Sequence, residues 1–561
     1  EDSADLSPEA QILSSTGAPA VYHPLRPAPL GVAAVVVLIG LTVFALETPE
    51  PPKVEFAVSA EAALVRARDH LQQAGVGVDS FQSVVSQRTQ WDGNDVAYRH
   101  AFDGPEAAVQ LYRGDLAPAM WRVRFYREQE KEEWQVYLRP EDGSVYTVHH
   151  QLPEEAEGAD LNKEEAQLLA EDLMRSHGLD PSRFTLKESS SEKLPNRRDH
   201  LFVWEAAEGD RRNLQESRFR CEVQIAGDAA ASFRRFVKLP EDWLREREEG
   251  SIWRTALTWI PILTIIAVAI HLSWLLIARI RSGELSWRRP LWIGAVGTLL
   301  FALNAANGLP TFFAAYQTEI PLGLFTLIQS VGLVIAALAM GLVLAGVVGL
   351  AESMFPGSVS RLSTAALAPQ VKDALLLSGL AVAGSLAAER WSDVLMAAWP
   401  EAAVPGGPTV PSVDNLFPAV DGLAGALGRG LFTPLSAAIA IYYAIRVLKR
   451  TSFVVVALLI LGACGAGASA YTPAEFFFGW GGFLLSAGFT AAALVWLYRD
   501  NVVAYVLTGF LTESIEGALR LLEQPAPAYI QQGWIWLGVT AAVVIFLGVL
   551  AVRTPRNPPG L

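Results

Sequence analysis

Histidine is missing from the second half of this 561-residue chain: none follows His271. That absence excludes any imidazole acid–base pair or histidine metal site built from second-half residues. Cysteine is nearly absent as well. Cys221 and Cys464 are the only two; one falls in a polar, β-rich region and the other in an apolar run. An internal disulfide, a zinc site and a redox pair are all left without material. Basic charge is scarce, with a net charge of −14 and no basic stripe, which argues against nucleic acid as a partner. There is no phosphate-cradling loop: Gly462, Gly465 and Gly467 sit in an apolar run, where small residues signal close helix packing.

Long apolar runs are plentiful. From Trp253 to Val552 they recur at about 20 residues each, the length a helix needs to cross ~30 Å of hydrocarbon. Lipid offers backbone groups no partners, so such runs are helices. Hydropathy gives ten spans, at about 30–46, 253–278, 291–314, 322–351, 373–397, 417–448, 452–470, 477–498, 501–522 and 533–552. The first reads as a retained anchor rather than a signal peptide, because no small-residue cleavage site follows it. Lys and Arg are absent from the loops 315–321, 398–416, 471–476 and 523–532. They cluster in the alternate ones: Arg26, Arg279, Arg281, Arg288, Arg289, Arg361, Lys372, Arg446, Lys449, Arg450, Arg499, Arg553 and Arg556. The positive-inside rule then puts both termini in the cytoplasm and residues 47–250 outside. The expected organisation is a cytoplasmic tail at 1–29, an anchor at 30–46, an extracytoplasmic domain at 47–250 and a polytopic membrane domain at 251–561.

The 47–250 segment reads as a duplication. Ser59 opens a helical run that closes on Gly75, and Asn162 opens one of the same length that closes on Gly178. Asn162 with Glu165 has the spacing of a capping box. Alternating sequence follows each helix: Trp121–Tyr126 and Trp134–Val148 in the first copy, with a turn at Asp142-Gly143, and Leu201–Trp204, Phe219–Ile225 and Phe233–Leu239 in the second. Each copy is therefore a helix on a small antiparallel sheet. The fold class is an α-helical polytopic bundle of about ten transmembrane helices carrying an α+β domain of two similar units, about 55–155 and 158–241.

Ionisable groups at depth are the candidates for chemistry. Glu513 and Glu516 lie in the ninth span and Asp421 in the sixth, with Arg429 nearer the middle of that helix. Glu516 and Arg520 are four apart on one face and suit a structural pair. Interhelical bonding that holds a bundle together is the plain reading of all of them. His271 is the one histidine in a span. It suits a hydrogen bond to a neighbouring helix, or ligation of a haem or chlorophyll-type pigment. His149 and His150 are adjacent in β-rich sequence and so point to opposite faces, a spacing unsuited to chelating one metal.

The order of parts, with the stretches Ser191–Glu205 (SEKLPNRRDHLFVWE) and Phe233–Pro240 (FRRFVKLP), resembles the CPBP family, the CAAX-type intramembrane proteases. The likeness is to the large bacterial members with an extracytoplasmic domain, and it covers residues 55 to 530. It implies a cytoplasmic-membrane location and a protease-like bundle. Active members of that family carry Glu-Glu-x-x-x-Arg on one helix and histidines on two later ones. Here the matching stretch, Ala426–Pro434 (ALGRGLFTP), places Arg429 and Gly430 at the glutamates and Pro434 at the arginine. The histidine positions fall on Ala468, with Cys464 at the preceding Phe, and on Gly509, with Glu513 at the following acidic position. The resemblance implies the protease fold, while the residues lack its chemistry.

The expectation is thus a catalytically inactive relative, an accessory subunit among other membrane subunits in the lipid bilayer, with no resident cofactor. The alternatives are an active protease with a carboxylate site on Asp421, Glu513 and Glu516, and a transport or pigment-binding subunit using His271. The aromatic run Phe476–Trp480 suits either a partner surface or an interfacial belt.

Overall fold

A computed structural model describes residues 22, 24–46, 54–249, 251–283, 287–354, 367–402, 407, 410–499 and 501–553. Most of the N-terminal tail, the first residues of the 47–250 segment, Arg361 and Arg556 lie outside the described residues. The chain opens with helix α1 (Pro27–Leu41) and a 3-10 turn, and then enters the sheet-bearing region.

Two four-stranded antiparallel meanders make up that region. The first unit runs α2 (Ala60–Gln73), β1 (Gln82–Thr89), α3 (Gly93–Asp103), α4 (Pro105–Leu111), β2 (Ala119–Tyr126), β3 (Glu133–Leu138) and β4 (Val145–Gln151). The second runs α5 (Lys163–Ser176), β5 (Phe184–Lys193), β6 (Arg198–Ala206), β7 (Arg218–Ala226) and β8 (Ala229–Lys238). Ser59 caps α2 by accepting from the Ala62 amide, and Asn162 and Glu165 form a complete capping box on α5. Gly75 and Gly178 both take positive φ just past the helix ends, the conformation glycine adopts there without steric cost. The units differ in one respect: α3 and α4 are inserted between β1 and β2 of the first.

Strands β1 and β5 were not expected from the sequence. β1 carries only Val84 and Val85 as apolar residues, and nearly every residue of β5 is exposed. Both are sheet edges, so neither needs the alternation that reveals a half-buried strand. β4 and β8 lie side by side, with Thr147 Oγ1 donating to Phe233 O at 2.7 Å.

Beyond α6 (Glu241–Glu249) come nine long helices: α7 (Ser251–Arg281), α8 (Arg288–Asn307), α10 (Leu322–Met354), α11 (Leu367–Ala398), α12 (Pro418–Tyr442), α13 (Thr451–Ser469), α14 (Pro473–Ala493), α15 (Val502–Leu522) and α16 (Pro527–Arg553). Among the described residues these and α1 are the ten helices long and apolar enough to cross a membrane. The third run breaks at Gly308 into α8 and the short α9 (Leu309–Ala314). Pro310 in the first turn of α9 lacks the amide that would continue α8, and just before the break the buried Asn307 side chain bonds both the amide and the carbonyl of Phe417 at 2.8 and 3.0 Å. It ties the end of α8 to the start of α12.

The first unit is fused to the bundle. One continuous core contains Phe56, Leu71, Trp121 and Phe125 of the unit together with Ala518, Leu521, Tyr529 and Trp536 of α15 and α16. The Phe56 amide donates to Gln524 Oε1 at 2.9 Å, and the Gln87 amide to Asp414 Oδ2 at 3.1 Å. Arg122 and Arg124 donate to the carbonyls of Ala314 and Tyr316. A separate polar group ties the N-terminal segment to the first turns of α11 and the N-cap of α15: Tyr22 Oη donates to Asp373 Oδ2 at 2.7 Å, and Asn501 Nδ2 donates to Tyr22 Oη and to Gln370 O.

Candidate functional site

Two glycines bring α12 and α15 together. A Cβ on Gly430 would lie 2.9 Å from Val506 O, and one on Gly509 2.8 Å from Arg429 O, so the two backbones touch. Membrane helices gain packing in this way at small residues. Further along the same seam, the Trp536 indole from α16 fills the space over both Gly422 and Gly517, where any Cβ would overlap the ring. These contacts fix the antiparallel register, which sets Gly422 level with Gly517 and Arg429 beside Gly509 and Phe510, within side-chain reach of Glu513 one turn on.

The ionisable residues fall into place on that register. Arg429 Nε lies 2.6 Å from Glu513 Oε2, the shortest contact between opposite charges on the seam. Both residues sit about eleven residues, ~16 Å, from the nearer or farther helix ends, well inside the apolar span. Their side chains are 62% and 32% exposed at the bundle surface. One turn on, Glu516 and Arg520 form a looser pair at 4.0 Å. Arg520 is in the last turn of α15 and Asp421 in the first turn of α12. A cation at a helix C-terminus and an anion at an N-terminus are each favoured by the helix dipole.

Asp421 and Glu513 are therefore not level. On that register Asp421 stands opposite Ala518, five residues or ~7.5 Å along the axis from Glu513, and Glu513 is bonded to Arg429 instead, so the two carboxylates do not form a dyad sharing one proton. The two histidine positions are also unsuited. Gly509 has no room for a side chain, and Ala468 is on α13, which packs against α7 and α14. Pro434 lies inside the continuous α12 and offers neither charge nor hydrogen-bond donor. What the seam can do chemically is hold one ion pair at depth and a second near the surface. Among the described residues no three of His, Cys, Asp and Glu converge as a metal site.

His271 lies elsewhere. Its Nδ1 is 2.7 Å from Tyr443 Oη, and its ring borders Trp274 and Tyr442. Beside it runs a groove of about 530 Å³ lined by Ile260, Leu263, Ala267 and Val268 along α7. The groove is open and apolar, and it presents one imidazole as its sole strong metal ligand. A haem or chlorophyll-type pigment would be held there by His271 Nε2 alone, with Nδ1–H donated to the Tyr443 hydroxyl.

In the sheet region His150 stacks on Trp134 at 3.5 Å with Nε2 3.1 Å from Glu132, while His149 packs toward Tyr137. Trp134 and Tyr137 are three apart on one strand, so the two imidazoles occupy opposite faces. Burial lowers both pKa values from the ordinary 6.5, in His150 against the opposing pull of Glu132. Burial in the second unit's core pushes the Cys221 thiol up to about 12, which leaves it unreactive.

Sequence spacing pairs Glu516 with Arg520, but it leaves the partner of Glu513 unnamed. The signal was present in part: Arg429 and Glu513 each lie near the middle of a span, where an opposite charge is needed.

Together these features define a multi-pass helical membrane protein with two small antiparallel sheets, the first docked on one end of its bundle and the second packed on the first. No protein family, no curated protein and no solved structure matches the chain.

Proposed function

We propose that this chain is a non-catalytic subunit of a larger membrane assembly, built on the plan of the CPBP (CAAX-type) intramembrane proteases without their active site. The observation that carries this reading is the Arg429–Glu513 pair. Glu513 is the carboxylate best placed to activate water, and it is neutralised by a guanidinium at the position where that family carries a glutamate. The pair is also exposed at the surface of the isolated chain, at a depth where charge is costly in lipid. A neighbouring subunit that covers the α12–α15 seam relieves that cost.

The sheets face the extracytoplasmic side and both termini face the cytoplasm of a bacterial cell. Two facts support this orientation: the Lys/Arg alternation, and the docking of the first unit on loops that lack Lys and Arg, through Tyr316, Asp414 and Gln524.

The test is proteolysis. Purified protein incubated with membrane-spanning peptides is expected to cleave none. Reproducible cleavage abolished by Glu513→Gln would replace this reading with a carboxylate protease. A second reading, a pigment-binding subunit, rests on His271 and its groove. It requires a Soret-type absorbance in protein purified from its native membrane, lost in His271→Ala.

A further inference from the structure

Two arginines converge on one tyrosine where the bundle meets the sheet region. Arg247 Cζ lies 3.3 Å from the centroid of the Tyr471 ring and Arg254 Cζ lies 3.9 Å from it. Arg254 also donates to the carbonyl of Arg247, which holds the two guanidiniums together. Neither forms an ion pair with a carboxylate among the described residues, and the buried Nε of Arg247 has no hydrogen-bond partner there. The carboxylate acting on Arg247 is Glu475, and that side chain is already occupied: Oε2 accepts from the Tyr471 amide at 2.7 Å. Within this contact group two guanidiniums thus face one carboxylate, while the carboxylates of Glu241–Glu249 are exposed.

The depth of this cluster follows from α7. That helix has 31 residues, and about 20 suffice to cross the hydrocarbon. Its charged residues stand at the two ends, Arg254 at one and Arg279 and Arg281 at the other, so Arg254 sits at headgroup level. Trp253 beside it is 77% exposed, as expected for an interfacial aromatic. Helix α6 completes one side. Trp243, Leu244 and Arg247 form its half-buried face, and its carboxylates, Glu241, Asp242, Glu246, Glu248 and Glu249, are all exposed.

We propose that Arg247 and Arg254, held by Tyr471, bind the phosphodiester headgroup of a membrane phospholipid. The guanidinium fork matches phosphate oxygens, a phosphodiester supplies an anionic partner for the second guanidinium and for the unpartnered Arg247 Nε, and Trp253 packs beside the lipid's glycerol and upper acyl chain. This site is separate from the α12–α15 seam and does not depend on the subunit reading.

Native mass spectrometry of the full chain in detergent tests the proposal. The probes are dioleoyl phosphatidylglycerol, dioleoyl phosphatidylethanolamine, a phosphate-free galactosyl diacylglycerol and inorganic phosphate. Both phospholipids are expected to be retained, with the galactolipid weaker by about tenfold, the factor that 1.4 kcal/mol supplies. The double variant Arg247→Gln/Arg254→Gln should lose retention by a similar factor. Arg254→Lys, which keeps the charge but not the fork, should lose less and serves if the double variant does not fold. Arg245→Gln, on the exposed face of α6, should bind as the parent does. Equal retention of the galactolipid overturns the proposal, as does full retention by both Arg254 variants. So does displacement of the phospholipids by inorganic phosphate at equal concentration, which would mark a free-anion site.

Discussion

At the scale of single residues, the Arg429–Glu513 pair concentrates the largest electrostatic risk in the bundle. An uncompensated charge at the centre of a membrane helix costs about 2.5–3.5 kcal/mol on insertion scales. Arg429→Leu should therefore lower the melting temperature in detergent and the yield in membranes, because it strands Glu513. The double variant Arg429→Leu/Glu513→Leu should recover most of the loss. A double variant no better than the single one would show that the two residues act independently. The histidines of the sheet region give a pH prediction. Burial lowers the pKa values of His149, His150 and His177 in the folded chain. The unfolded chain then binds protons more readily, so the stability these residues contribute is present above about pH 6.5 and lost as pH falls below it. Melts of the full chain should show a transition that falls as pH drops below about 6.5, by less when His150 is replaced by Gln.

Among the elements, the α12–α15 crossing depends on two glycines and tolerates change elsewhere on the same helix. Gly509→Ala and Gly430→Ala would drive a methyl group into backbone of the partner helix, an overpacking cost of typically 1–3 kcal/mol. Gly425, on the same helix as Gly430, has open space where a Cβ would stand. Gly425→Ala should leave the thermal transition unchanged or raise it slightly through helix propensity. Similar losses at Gly425 and Gly509 would mean that the two backbones do not touch as described. In the sheet region the capping box at Asn162 plays the corresponding part, and Asn162→Ala should destabilise the second unit by about 1 kcal/mol.

For the molecule as a whole, the two sheet units differ in how far they depend on the bundle. The main core of the second unit is made from its own residues, Met174, Phe202, Trp204 and Phe233 among them, with Ala206 and Phe219 packed against the first unit rather than the bundle. That of the first is shared with Leu521, Tyr529 and Trp536. Residues 159–239 expressed alone should unfold cooperatively in circular dichroism, whereas residues 54–152 alone should not. The orientation proposed above is checked by thiol labelling of intact cells. Lys131→Cys in the exposed β2–β3 turn should react with an impermeant maleimide, and Ser282→Cys at the end of α7 should react only after permeabilisation. Gly143 is a poor labelling position, since its φ is +70° and a side chain there would strike Arg66.

The sequence alone determined the ten long apolar helices, the caps at Ser59 and Asn162, the helix-ending glycines and the turn at Asp142-Gly143. Each of these is written within a few turns of one segment, as a hydropathy run or a capping pattern. Edge strands β1 and β5 escaped for different reasons: β5 is almost wholly exposed, and β1 divides its two apolar residues, Val84 and Val85, between opposite faces, so no apolar alternation forms. The partner of Glu513, the wedge of Trp536 between Gly422 and Gly517, and the fusion of the first unit to α15 and α16 were decided only by tertiary structure. Arg429 and Glu513 are distant in sequence and meet only because Gly430 and Gly509 let two backbones touch in one register. A contact of that kind depends on how whole helices pack, and no local stretch of sequence encodes it.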